Sequence, residues 1–121
     1  MALLWSVSVC AGPLPISPQG QQEADLYLSF LQLALQGNSA KQYCQGYANM
    51  LQQVPQDKYL RRQLLLCALE QKDMAAADEY ADFFEQGENE GEDLAVYAFY
   101  RWRKGDVAGA QKYYEDRKSV V

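Results

Sequence analysis

The chain has 121 residues, 49% of them hydrophobic and 22% charged, a balance that suits one globular domain or a short stack of repeats and excludes global disorder. Its net charge of −5 opposes nucleic acid as a partner, because binding a phosphate backbone depends on Lys and Arg displacing counterions. Without a single histidine, the chain lacks the commonest general base and the commonest zinc ligand, and neither a C-x₂-C pair nor a phosphate-cradling glycine motif is present.

The first twenty residues differ from the rest. An apolar run from Ala2 to Ala11 is followed by "GPLPISP", which holds three of the four prolines. Two readings stand: a secretory leader, which has this apolar centre and small-residue exit but normally carries Lys or Arg in front, or a loosely docked tail. Periplasmic or secreted localisation follows from the first and cytoplasmic from the second. Cys10 is a weak match to a lipid-attachment site, because a bulky valine precedes it. Beyond residue 20 no stretch approaches the roughly 20 apolar residues of a transmembrane helix.

From there the apolar spacing predicts an all-α domain over 21–118, with helices at 22–36, 39–53, 57–71, 75–85, 93–104 and 107–117. The breaks carry helix-stop and helix-start chemistry. In "RKGDVAGAQKYYE", Arg101, Arg103 and Lys104 sit where the helix dipole is negative, Gly105 suits the left-handed conformation past a C-terminus, and Asp106 is placed to cap the next helix. The same corner is read at Lys72-Asp73 and at Gly37-Asn38. Asn38 to Asp73 is 35 residues and Asp73 to Asp106 is 33. Small residues after each corner (Ala76, Ala77, Ala108, Ala110) permit close helix approach, and rings one turn later fill the wedge toward the next unit. "EQGENEGED", between the fourth and fifth helices, reads as an exposed acidic connector.

A period near 34 residues, with these residues at its positions, resembles the tetratricopeptide repeat family. Leu94, Tyr97, Ala98, Gly105-Asp106, Ala110 and Tyr114 match its pattern best, with Leu94 in place of an aromatic and Arg101 in place of a tyrosine. Leu64, Leu65, Ala68, Ala77, Tyr80, Phe83 and Phe84 form a second unit, in which Lys72 replaces the turn glycine. Tyr27, Phe30, Leu31, Ala34, Tyr43, Tyr47, Leu51 and Pro55 form a degenerate first. The resemblance implies a right-handed α-solenoid of three antiparallel helix pairs, over about 22–55, 57–89 and 92–117. It also implies a non-enzymatic scaffold that binds a peptide or partner protein in a groove lined by the first helices, with no cofactor or metal. On helical spacing that groove takes Tyr27, Tyr59, Arg62, Ala95, Phe99 and Trp102, while Leu31 and Leu66 read rather as core. A small acidic secretion chaperone, or the terminal piece of a longer solenoid, are the alternatives.

Three cations in "YRWRKG" are accounted for by their helix C-terminus without any ligand. Cys44 and Cys67 fall on helices that this architecture packs together, so a disulfide pinning the first two units stands beside the simpler reading of two buried thiols. The final helix, through Val107, Ala110 and Tyr114, is expected to be partly uncovered and to drive self-association.

Overall fold

A computed structural model describes residues 18–119, with side chains described from 20 to 117. The expectations for the leader-like segment and for Cys10 lie outside the described residues. In chain order the elements are α1 (Pro18–Ala40), a single 3₁₀ turn (Lys41–Tyr43), α2 (Cys44–Gln53), α3 (Lys58–Glu70), α4 (Met74–Glu85), α5 (Glu92–Arg103) and α6 (Val107–Ser119), and no strand occurs among the described residues.

Two of the sequence corners have one and the same geometry. At the end of α3 the Asp73 amide donates to the Ala68 carbonyl (2.9 Å) and the Lys72 amide to Leu69 (3.2 Å). At the end of α5 the Asp106 amide donates to Arg101 (2.9 Å) and the Gly105 amide to Trp102 (3.0 Å). This crossed pair of bonds satisfies carbonyls that a helix end leaves open, and it requires a left-handed residue just past the cap. Gly105 takes that conformation at φ 91°, and Lys72 takes it at φ 60° despite its side chain. Each aspartate then starts the next helix. Asp73 accepts from the Ala76 amide at 3.2 Å, and Asp106 accepts from the Gly109 amide at 2.9 Å.

The expected third corner is absent. Gly37 and Asn38 lie inside α1, which runs on to Ala40, so the predicted break after residue 36 is corrected. Gly37 is buried against α3, where an added Cβ would stand 3.0 Å from the Leu66 carbonyl oxygen and 3.6 Å from Glu70 Cβ. The glycine therefore serves close helix approach, while Asn38 is an exposed mid-helix residue. Nor do α1 and α2 lie along one another as a close hairpin. Both pack on α3, and α1 reaches α5 as well.

Helices α3 and α5 form the centre. Leu64 to Leu69 are all buried on α3, and Asp93 to Tyr100 on α5. A helix apolar on every side must be covered on every side, and α1, α2, α4 and α6 supply that cover. Ala77, Ala81, Ala98 and Ala110 have no exposed surface, which lets the helix axes approach within each pair. Phe30 of α1 inserts among Phe99 (ring centroids 5.7 Å), Trp102 (5.2 Å) and Tyr114 (5.8 Å), joining the first helix to the last hairpin. Burying rings of this kind stabilises by about 2–3 kcal/mol each. On α6, Ala110 and Tyr114 are thus core residues and only Val107 is exposed, so the expected uncovered face of the final helix is corrected as well.

Polar ties cross between the helices. Arg62 Nη1 meets Asp93 Oδ1 at 2.7 Å, Arg103 Nη2 donates to the Leu69 carbonyl at 3.0 Å, and Lys104 Nζ meets Asp78 Oδ1 at 2.9 Å. Cys44 and Cys67 are joined as a disulfide between α2 and α3, rather than standing as two separate thiols.

Candidate interaction surface

Exposed large apolar side chains are distributed unevenly. Among the described residues, eight of the nine fall between Tyr27 and Tyr59, on α1, the 3₁₀ turn, α2 and the residue after it, and the start of α3, and only Val107 lies further along the chain. The asymmetry follows from the packing. The hairpins α3–α4 and α5–α6 bury their apolar faces on each other and on α1, whereas α2 has no fully buried side chain and α1 has apolar residues on two sides.

The groove residues inferred from helical spacing divide into two groups. On one side, Tyr27 meets Trp102 edge-to-face at 6.1 Å, and Trp102 stacks on Phe99 at 6.3 Å. Phe99 is only 1% exposed, with the Arg103 guanidinium 5.5 Å from its ring. It is a core residue and not a groove wall, because α1 lies against α5 and Phe30 fills the space between them. Trp102 is half-buried by the same contact. On the other side, Tyr59 is half exposed, and the Arg62 guanidinium sits 5.3 Å above its ring while pairing with the buried Asp93. Leu66 is buried, as core, whereas Leu31 is exposed.

Tyr59 belongs to a tyrosine cluster that helical spacing did not single out as a site. Tyr43 and Tyr47 stand edge-to-face at 6.5 Å, and the Tyr59 phenol lies close enough to act on the Tyr47 hydroxyl. Burial first, and then the neighbouring Tyr59 and Tyr43 phenols, raises the Tyr47 hydroxyl above its ordinary value. Next to these rings Leu35, Gln36, Ser39, Ala40, Tyr43, Tyr47 and Gln63 line a shallow depression between α1 and α3. The signal available in the sequence was the i, i+4 pair Tyr43/Tyr47 on one face of a short helix. Its link to Tyr59 is tertiary and depends on the 3₁₀ turn and the Cys44–Cys67 bridge.

Elsewhere the ionisable groups are engaged in holding helices together. Burial first, then Glu85, raises the Tyr97 hydroxyl far above its usual range, and its oxygen donates to Glu85 Oε1 at 2.7 Å. Tyr100 is raised by burial and by Asp78, to which it donates a short hydrogen bond. Asp106 is lowered by the Gly109 amide first and then by Arg101, whose Nη2 stands 2.6 Å from its Oδ2. In the acidic connector, Asn89 donates to the Phe84 carbonyl and Lys58 Nζ to that of Glu88, so α4 and α3 tie it down. Among the described residues no three His, Cys, Asp or Glu side chains converge as a metal site, and no helix is long and apolar enough to cross a membrane. The exposed rings, with hydroxyls at their tips, present an apolar body and a polar edge, the chemistry by which one protein surface recognises another.

No protein-family model matches this chain, and neither a curated protein nor a solved structure is significantly similar to it.

Proposed function

We propose that this chain is a non-enzymatic protein–protein interaction module, a compact scaffold of the tetratricopeptide type whose partner docks on the α1–α2 side, over Tyr43, Tyr47 and Tyr59. The observation that carries this reading is the concentration of exposed rings and aliphatic side chains in the stretch from α1 to the start of α3, while the later helices are well covered. Tyrosines lose little conformational freedom on binding and act as anchors at interface centres, and Arg62, held by Asp93, offers guanidinium hydrogen-bond donors at the edge. The pair of matching corners at Asp73 and Asp106, 33 residues apart, supports the repeat relationship. The Cys44–Cys67 bridge favours a periplasmic or secreted setting, and so weighs against the chaperone alternative, which operates in the cytoplasm.

The test is the double variant Tyr43→Ala/Tyr59→Ala. Partner affinity is expected to fall by at least tenfold, with the thermal melt unchanged because both side chains are exposed. Undiminished affinity would remove the tyrosine cluster from the site.

A further inference from the structure

Helix α1 carries two seams of the same spacing on opposite faces. Leu26, Phe30, Leu33, Gly37 and Ala40, spaced four, three, four and three residues apart, are buried against the rest of the domain. Ala24, Leu28, Leu31, Leu35 and Asn38 have the same four-three-four-three spacing and are all exposed, with Leu28 at 58%, Leu31 at 40% and Leu35 at 67%. Apolar side chains at this spacing form the knobs of a two-helix interface, because alternating steps of three and four keep one line of residues facing a neighbouring helix. A helix that needs only one buried face has no use for a second such line. Moreover, from Leu26 to Ala40 the sequence "LYLSFLQLALQGNSA" contains no charged residue, unlike an ordinary solvated helix face.

We propose that this outer seam is a self-association surface, on which α1 of a second copy of the chain packs antiparallel as a short two-stranded coiled coil. Charge selects both the partner and the direction. The charges flanking the seam are Glu23 and Asp25 at its start and Lys41 just past its end, all exposed. An antiparallel crossing centred on Leu31 sets the acidic end of one helix beside Lys41 of the other, whereas a parallel crossing would oppose like charges. The antiparallel arrangement also places the negative C-terminal end of each helix dipole beside the positive N-terminal end of its neighbour. The seam from Ala24 to Asn38 is roughly 21 Å long. With its flanking glutamines it buries on the order of 1,200 Å² over both copies, the lower edge of a stable specific interface. Leu35 borders both this seam and the depression beside the tyrosine cluster, whereas Leu28 and Leu31 line the seam without lining that depression, so Leu31→Glu tests the seam apart from the proposed partner site.

Sedimentation velocity on the full chain, from about 1 to 200 µM in a Cys10→Ser background that removes intermolecular disulfides, tests this directly. A monomer–dimer equilibrium with a dissociation constant on the order of 10 µM is expected. Leu31→Glu, at the two-fold axis, should weaken it by roughly 100-fold or more. Leu35→Glu, at the most exposed seam position, serves as the second variant should Leu31→Glu alter the circular dichroism melt. Lys41→Glu should weaken the dimer, and adding Glu23→Lys to it should restore it. A monomer over the whole concentration range overturns the proposal, including the outcome in which the seam is covered by a different protein, and so does a dimer unchanged by both leucine variants. A dimer that Lys41→Glu leaves unaltered overturns the antiparallel arrangement.

Discussion

Removing the α2–α3 cross-link by Cys44→Ala/Cys67→Ala has a calculable effect, because the bridge closes a loop of known size. The two cysteines are 23 residues apart, and in the chain-entropy treatment a loop of that length stabilises by about 3.4 kcal/mol at 25 °C. That is a large fraction of the roughly 5–15 kcal/mol of a typical domain. The loss should be felt most in α2, which has no fully buried side chain and otherwise rests on α3 through half-buried Tyr47, Ala48 and Leu51. Urea unfolding of the oxidised protein and of the double variant, both followed by circular dichroism, should show the midpoint falling by roughly 2 M. Amide hydrogen exchange should accelerate by about two orders of magnitude in α2, and less in α5, where the core is densest. A variant as stable as the parent within about 0.5 kcal/mol, or a mass under non-reducing conditions showing two free thiols, would refute the reasoning.

Lys72→Gly should stabilise by roughly 0.5–1 kcal/mol, since it relieves a left-handed residue at φ 60°, while Gly105→Ala at φ 91° should destabilise by about 1–2 kcal/mol; thermal melts of the two variants check both. Gly37→Ala should lower stability in spite of alanine's roughly 1 kcal/mol helix advantage, because the new Cβ meets the Leu66 carbonyl; a raised melting temperature would refute close helix approach as the reason for the glycine. The folded-state values of Asp78 and Asp106 are lowered, Asp78 by the Tyr100 hydroxyl first and then Lys104, so their contributions are present above the unfolded carboxylate value near 4 and are lost as pH falls through the folded values. Those of Tyr97 and Tyr100 are raised, so their contributions are complete below pH about 10 and are lost as pH rises beyond it. Melts against pH should therefore decline at both ends, and Tyr97→Phe/Tyr100→Phe should flatten the alkaline limb.

What was legible in the sequence was local chemistry. The stops at Lys72 and Gly105 and the caps at Asp73 and Asp106 are decided by hydrogen bonds within a few residues of each corner, and their geometry is plain in the residue types. Gly37-Asn38 carries the same letters but a different cause, since the glycine answers to Leu66, about thirty residues away. Periodicity placed Phe99 on a first-helix face without revealing that Phe30 occupies the space in front of it. Likewise the Tyr43/Tyr47 spacing was visible, whereas their union with Tyr59 depends on how α2 is hinged and tethered. On α1 both four-three seams can be written out from the sequence, and only the packing tells which one faces inward.

Photo-crosslinking bears most directly on the claim that the tyrosine-bearing side is a protein-docking surface. With a photoreactive phenylalanine analogue at position 59 or 43, and at exposed position 86 at the C-terminal end of α4 as control, the full chain is irradiated in extract of its source cells. One discrete adduct from 59 and 43, competed away by unlabelled chain and absent from 86, is the expected result. Adducts from 86 with none from 59 or 43 would contradict it.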